Sequence, residues 1–286
     1  MLIAAAVCPH PPLLVPEMAG EAAPELDALR AACHAAVRRL TQDRDGRAVD
    51  LLVVVGGDAT TRAYGADAAG SLRPFGLDLT VGRGEPILPL SLTIGRWLLG
   101  RAAHAGRMDR MDRMDRADRA DRADRMDRTR VRFQGVAERA APAECLRLGR
   151  ELADVAERVA MLVMGDGSAC RADKASDGLD ARAEPYDAAV ARAFGTADAA
   201  ALAALDPALA RELQVAGRAA WQVLAGAAGA RELDHGREPR PAHGAHGYDG
   251  AAFDGAVLAD MAPYGVGYFV ASWLRSQRRP GYPESP

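Results

Sequence analysis

The residues best placed to do chemistry in this chain sit at the ends of short apolar runs. The first is His10, in Leu2-Ile3-Ala4-Ala5-Ala6-Val7-Cys8-Pro9-His10-Pro11-Pro12-Leu13. A strand of an open α/β sheet delivers its carboxyl end to the crevice where ligands bind, and flanking prolines fix the backbone there. His10 would therefore be presented rigidly, as a metal ligand is; a turn histidine in a proline-rich loop is the alternative. The second is Asp58, in Val53-Val54-Val55-Gly56-Gly57-Asp58-Ala59-Thr60-Thr61. Two glycines allow a sharp turn and set a carboxylate at a strand end, a second candidate metal ligand with Gly57 lining the pocket. The same carboxylate could simply cap a helix.

The third run is Met161-Leu162-Val163-Met164-Gly165-Asp166-Gly167-Ser168-Ala169-Cys170-Arg171. Asp166 could supply an oxygen ligand, Ser168 a hydrogen bond and Cys170 a thiol. Asp166 and Ser168 are thus the catalytic candidates, with Gly165 at the pocket wall. A serine nucleophile needs a base, yet no histidine follows Ser168 until His235 and the chain has no Gly-x-Ser-x-Gly elbow. That argues against serine hydrolase chemistry. Near the end, Ala262-Pro263-Tyr264-Gly265-Val266-Gly267-Tyr268-Phe269-Val270-Ala271-Ser272-Trp273 reads as a turn entering a core strand, with Tyr264 at a pocket rim.

The elements that must position these residues follow from periodicity. Strands are expected at Leu2–Val7, Leu51–Val55, Val131–Gly135, Val159–Met164 and Gly265–Ala271, each a short apolar run bounded by turn residues. Helical patterns lie between them at Ala23–Leu40, Leu90–Ala103, Pro142–Arg158, Pro185–Phe194 and Ala197–Ala228, with Pro207 opening a second helix in the last. Such alternation predicts one α/β domain over residues 1–286, a mainly parallel or mixed sheet with helices on both faces. Two segments fall outside the pattern. Residues 107–130 hold Asp-Arg-Met and Asp-Arg-Ala triplets, whose period of three matches neither helix nor strand, and they read as a low-complexity insertion. Residues 234–254 carry His235, His243 and His246 among glycines and prolines and read as a flexible loop; no cysteine nearby completes a metal site.

Composition narrows the function. A balance of 36 Lys and Arg against 39 Asp and Glu gives a net charge of −3, which offers no bulk attraction to nucleic acid or to acidic membranes. The expected partner is a small molecule or another protein, a second copy of the chain included. Lys174 is the only lysine, and alanine is abundant, a bias typical of GC-rich coding sequence, so arginine richness is no sign of phosphate binding. Cys8, Cys33, Cys145 and Cys170 form no CxxC pair. With no basic leader and no apolar run of membrane length, a cytoplasmic protein is expected.

Together the runs at His10, Asp58, Asp166 and Tyr264 resemble the class III extradiol ring-cleavage dioxygenases and the related Memo-type proteins, over most of the chain but not the two irregular segments. The resemblance implies that family's α/β fold and a non-haem Fe(II) or another divalent metal held by two histidines and a glutamate, with a further histidine as acid/base. The first ligand maps onto His10. The second metal histidine falls where this chain has Asp58 and Ala59, the acid/base histidine at Ala169, and the glutamate in Phe253–Met261, which offers Asp254 and Asp260. The implied protein is therefore a divergent, dioxygenase-like one, its crevice retained and its ring cleavage lost or changed. Active ring opening, or other metal chemistry using His10 with Asp58, Asp166 and Asp260, is the alternative. A further resemblance, to the Gly-Gly-Asp-Gly-Thr phosphate loop of diacylglycerol and NAD kinases, meets Ala59 where that loop has glycine.

Overall fold

A computed structural model describes residues 1–40, 48–111, 130–171, 180–230 and 253–276. The triplet insertion, apart from its first and last few residues, and the His235–His246 loop lie outside the described residues. In chain order the elements are β1 (Leu2–Cys8), α1 (Pro16–Ala19), α2 (Asp27–Leu40), β2 (Leu51–Asp58), β3 (Arg62–Tyr64), β4 (Gly70–Ser71), β5 (Thr80–Val81), α3 (Leu90–Met111) and β6 (Arg130–Ala137). They continue with α4 (Pro142–Ala153), β7 (Val159–Met164), α5 (Ala183–Thr196), α6 (Ala199–Ala203), α7 (Pro207–Glu212), α8 (Arg218–Ala227), β8 (Phe253–Met261) and β9 (Tyr268–Arg275).

Seven strands form one sheet in the order β3-β6-β2-β7-β1-β9-β8. The four central strands run parallel, with β1 on β7, and β2 between β7 and β6, while β3, β8 and β9 join antiparallel. Strands with helices on both faces must be apolar on every residue, which is why β1, β2 and β7 read as unbroken runs and not as alternation. Their parity assigns the faces. Ala4, Ala6, Leu52, Val54, Ala160 and Leu162 pack under Leu29, Cys33 and Val37 of α2 and Leu92, Ile94 and Leu98 of α3. Ala5, Val7, Val53, Val55, Met161 and Val163 pack under Leu146 of α4, Val190 and Phe194 of α5 and Trp221 and Leu224 of α8.

On that second face α4 and α8 cross at glycines: a Cβ on Gly149 would run into the Val223 carbonyl oxygen, and one on Gly226 into that of Leu146. Several expectations need correction. The helical pattern over Pro142–Arg158 stops at Ala153, and Ala197–Ala228 is three short helices, each shorter than its propensity allows because Pro207 and Gly217 interrupt it. Periodicity gives no sign of β8; it is an edge strand with only partly buried residues, so it lacks the apolar run that marks the centre of the sheet. Helix α3 extends to Met111, past the expected Ala103 and into the triplets.

Candidate functional site

Register brings the sequence motifs to one edge of the sheet. Cys8 of β1 and Gly56 of β2 both pair with Met164 of β7, so the residues that follow, Pro9-His10, Gly57-Asp58 and Gly165-Asp166, leave the sheet at one level. Because β9 runs antiparallel to β1, its first residue, Tyr268, arrives at the same edge. This is the carboxyl edge of the parallel strands, where open α/β sheets bind ligands.

There the structure pairs His10 with Asp166. The Asp166 Oδ1 accepts the His10 main-chain N–H at 2.7 Å and lies 3.5 Å from the imidazole Nδ1. That nitrogen is buried and has no hydrogen-bond partner. Burial pushes the Asp166 carboxyl up from the usual carboxylate range, against the pull of His10 and its N–H. Tyr268 is buried beside it, and burial, then the Asp166 charge, then Tyr264, push its phenol up.

Asp58 turns the other way. Its Oδ2 accepts the Tyr64 hydroxyl at 2.5 Å and the Arg62 Nε at 3.3 Å, and its Oδ1 accepts the Ala59 N–H at 2.7 Å. The carboxylate lies over Gly135 of β6, where a Cβ would stand 2.5 Å from Oδ2. It is thus committed to the β6 and β3 side of β2, whereas His10 lies beyond β7 on β1. Ser168 is fully buried; its hydroxyl donates to the Leu213 carbonyl at 3.0 Å and accepts the Cys170 N–H at 3.0 Å, the bonding of a structural latch. Tyr264 is exposed, in keeping with a rim position, and its hydroxyl donates to Glu25 Oε2 at 2.6 Å. Gly57 is half-buried and Gly165 buried, both at this edge. Asp260 is half-exposed and reached by Arg171 Nη1 at 3.8 Å, and Asp254 accepts the Ser276 hydroxyl.

The iron that the sequence resemblance implies needs two histidines and a carboxylate converging on one point. Among the described residues no group of three or more His, Cys, Asp or Glu is placed to hold a metal ion. Asp58 is bound to Tyr64 and Arg62, and Ala169 is an exposed methyl. The described donor set does not fit the metal.

Three residues of this region carry no motif in the sequence. Asp187 lies on the buried stripe of α5 with Ala183, Tyr186, Val190 and Phe194, so a carboxylate at a core position of a helical pattern is the readable signal. Its Oδ1 accepts the Ser168 N–H at 3.0 Å, its Oδ2 lies 3.8 Å from Arg171 Nη1, and it fills the space left by Gly167 and Gly267. Burial pushes it up to about 6, opposed by the Ser168 N–H and Arg171 and assisted by Asp260. Arg218 and Trp221, at the amino end of α8, reach the same edge, because the Gly217 N–H donates to the Asp166 carbonyl at 2.9 Å. Among the described residues no helix is long and apolar enough to cross a membrane. Comparison with models of known protein families finds no match to this chain, and comparison with curated proteins finds none either.

Proposed function

We propose that the chain is a cytoplasmic, divergent protein of the class III extradiol dioxygenase type that keeps the crevice at the carboxyl ends of β1, β2 and β7 as a small-molecule site and does not cleave aromatic rings. The observation that carries this is the pairing of His10 with Asp166 while Asp58 is held by Tyr64 and Arg62. Extradiol cleavage requires an iron with open positions for catechol and O₂, and a base for the catechol proton. Here Ala169 stands where the resemblance puts the acid/base histidine, and a methyl group moves no proton; an acid/base group contributes about 10²–10⁴-fold. What remains is a ligand site: a rigid imidazole, a buried carboxyl, and glycines that leave room above two strand ends.

The test is metal content after anaerobic purification, then Fe(II), Mn(II) and Zn(II) titration of the wild type and His10→Ala, with O₂ uptake in the presence of catechols. The expected result is no stoichiometric metal that depends on His10 and no catechol-dependent O₂ uptake. Stoichiometric Fe(II) lost in His10→Ala, together with O₂ uptake, would make the protein an active dioxygenase. His10-dependent metal without O₂ uptake would make it another metal-dependent enzyme, and either result overturns the proposal.

A further inference from the structure

The amino end of α8 is a buried helix terminus with nothing to cap it. The helix runs ten residues from Arg218, its N-cap is Gly217, no side chain caps it, and its first turn has no acidic residue. The N–H groups of Arg218, Ala219 and Ala220 meet no acceptor among the described residues, although these residues are 4%, 2% and 0% exposed. Buried backbone donors are nearly always satisfied, and a buried helix end without acceptors is unusual.

A separate side chain makes the same demand. Trp221 is fully buried and its indole Nε1 has no hydrogen-bond partner. Side chains on a helix lean toward its amino end, and this ring folds back over Gly217. Its Nε1 stands against Gly165, 2.7 Å from the point where a Cβ would be. The indole donor therefore occupies the same end of the helix as the three main-chain donors.

The charge is positive as well. The Arg218 guanidinium is buried and donates to the main-chain oxygens of Ala140 and Glu138 and to Gln222 Oε1. Among the described residues it meets no carboxylate, the Glu138 side chain lying exposed toward Gly57. A buried cation without a counter-charge is costly, and the helix dipole adds to the same sign.

We propose that this end of α8, between Gly165 and Gly57, is an oxyanion site that receives the carboxylate or phosphate group of the small molecule held in the crevice. The inference rests on the reading of the crevice as a ligand site and names the chemistry of that ligand. An oxyanion accepts from main-chain and indole donors together and supplies the charge that Arg218 lacks, which is the recognition that helix amino ends perform. Asp166 on the β1 side adds a reason for specificity: its buried carboxyl repels an anion placed toward His10, so the anionic group of a ligand is directed to α8 and its neutral part toward the imidazole.

The experiment is a titration of the ¹⁵N-labelled full chain with inorganic phosphate, sulfate and acetate at constant ionic strength made up with chloride, followed in amide and indole correlations. Saturable shifts of the Arg218, Ala219 and Ala220 amides and of the Trp221 indole are expected. Trp221→Phe keeps an aromatic ring, removes the donor, and should weaken binding roughly tenfold, as loss of one hydrogen bond to a charged group does. Tighter binding of phosphate and sulfate than acetate would mark a phosphate-bearing ligand, the reverse a carboxylate. Absence of saturable shifts at these four signals in the wild type overturns the proposal whether or not the variant folds, as does a folded Trp221→Phe that binds as tightly. A chain that binds anions here but takes up Fe(II) through His10 would refute only the metal-free reading of the crevice.

Discussion

Replacing Asp187 by asparagine should remove a pH dependence of stability that the fold builds in. The carboxyl is 1% exposed, its Oδ2 has no hydrogen-bond partner, and the nearest cation, Arg171 Nη1, is 3.8 Å away. Burial therefore outweighs the attraction and raises the group from 3.8 to about 6. Between those values the folded chain holds a proton that the unfolded chain has released. The associated stability is complete below the unfolded value and is lost as pH rises through about 6. A shift of roughly two units at about 1.4 kcal/mol each amounts to about 3 kcal/mol between pH 4 and pH 7. The Asp187→Asn side chain would keep the acceptor for the Ser168 N–H and carry no charge anywhere in this range. Urea unfolding of both proteins across that range, followed by tryptophan fluorescence, gives the difference in stability. It should change by about 3 kcal/mol, to the disadvantage of the wild type, as pH rises. A flat difference would refute the burial argument, and a difference that grows in favour of the wild type would show that Arg171 dominates.

Two further perturbations test the architecture. Tyr64→Phe removes the 2.5 Å hydroxyl bond to a nearly buried Asp58 carboxylate and should cost about 1.5–3 kcal/mol in urea unfolding; an unchanged midpoint would mean that Asp58 is not held on the β6 side. Gly226→Ala would press a methyl group onto the Leu146 backbone where α4 and α8 cross, and should destabilise by about 1–3 kcal/mol in thermal unfolding, whereas the usual helix preference for alanine predicts the opposite sign.

The outline of the fold is legible because the central strands are buried on both faces. Leu2–Cys8, Leu51–Asp58 and Val159–Met164 must be apolar along nearly their whole length, and such runs stand out from the polar segments around them. The prolines around His10 and the glycines before Asp58 and Asp166 likewise announce strand ends in the sequence alone. Edge strand β8 is hidden there for the complementary reason: a strand that is only partly buried has no such constraint.

Which of those strand ends share a site is settled by tertiary structure. His10, Asp58 and Asp166 read alike as polar residues after apolar runs, yet strand order sets β7 between β1 and β2, and side-chain direction sends Asp166 to His10 and Asp58 to Tyr64. Ser168 reads as a reactive hydroxyl until the fold encloses it between Leu213 and Cys170. Asp187, Arg218 and Trp221 reach this edge from helices far along the chain, and their importance lies in burial and in missing or distant partners. The sequence by itself determined the layers and the residues offered at the strand ends, since burial on two faces dictates composition locally. Partnership among polar groups depends on strand order and on which atoms are withdrawn from water, quantities that exist only once the chain has folded.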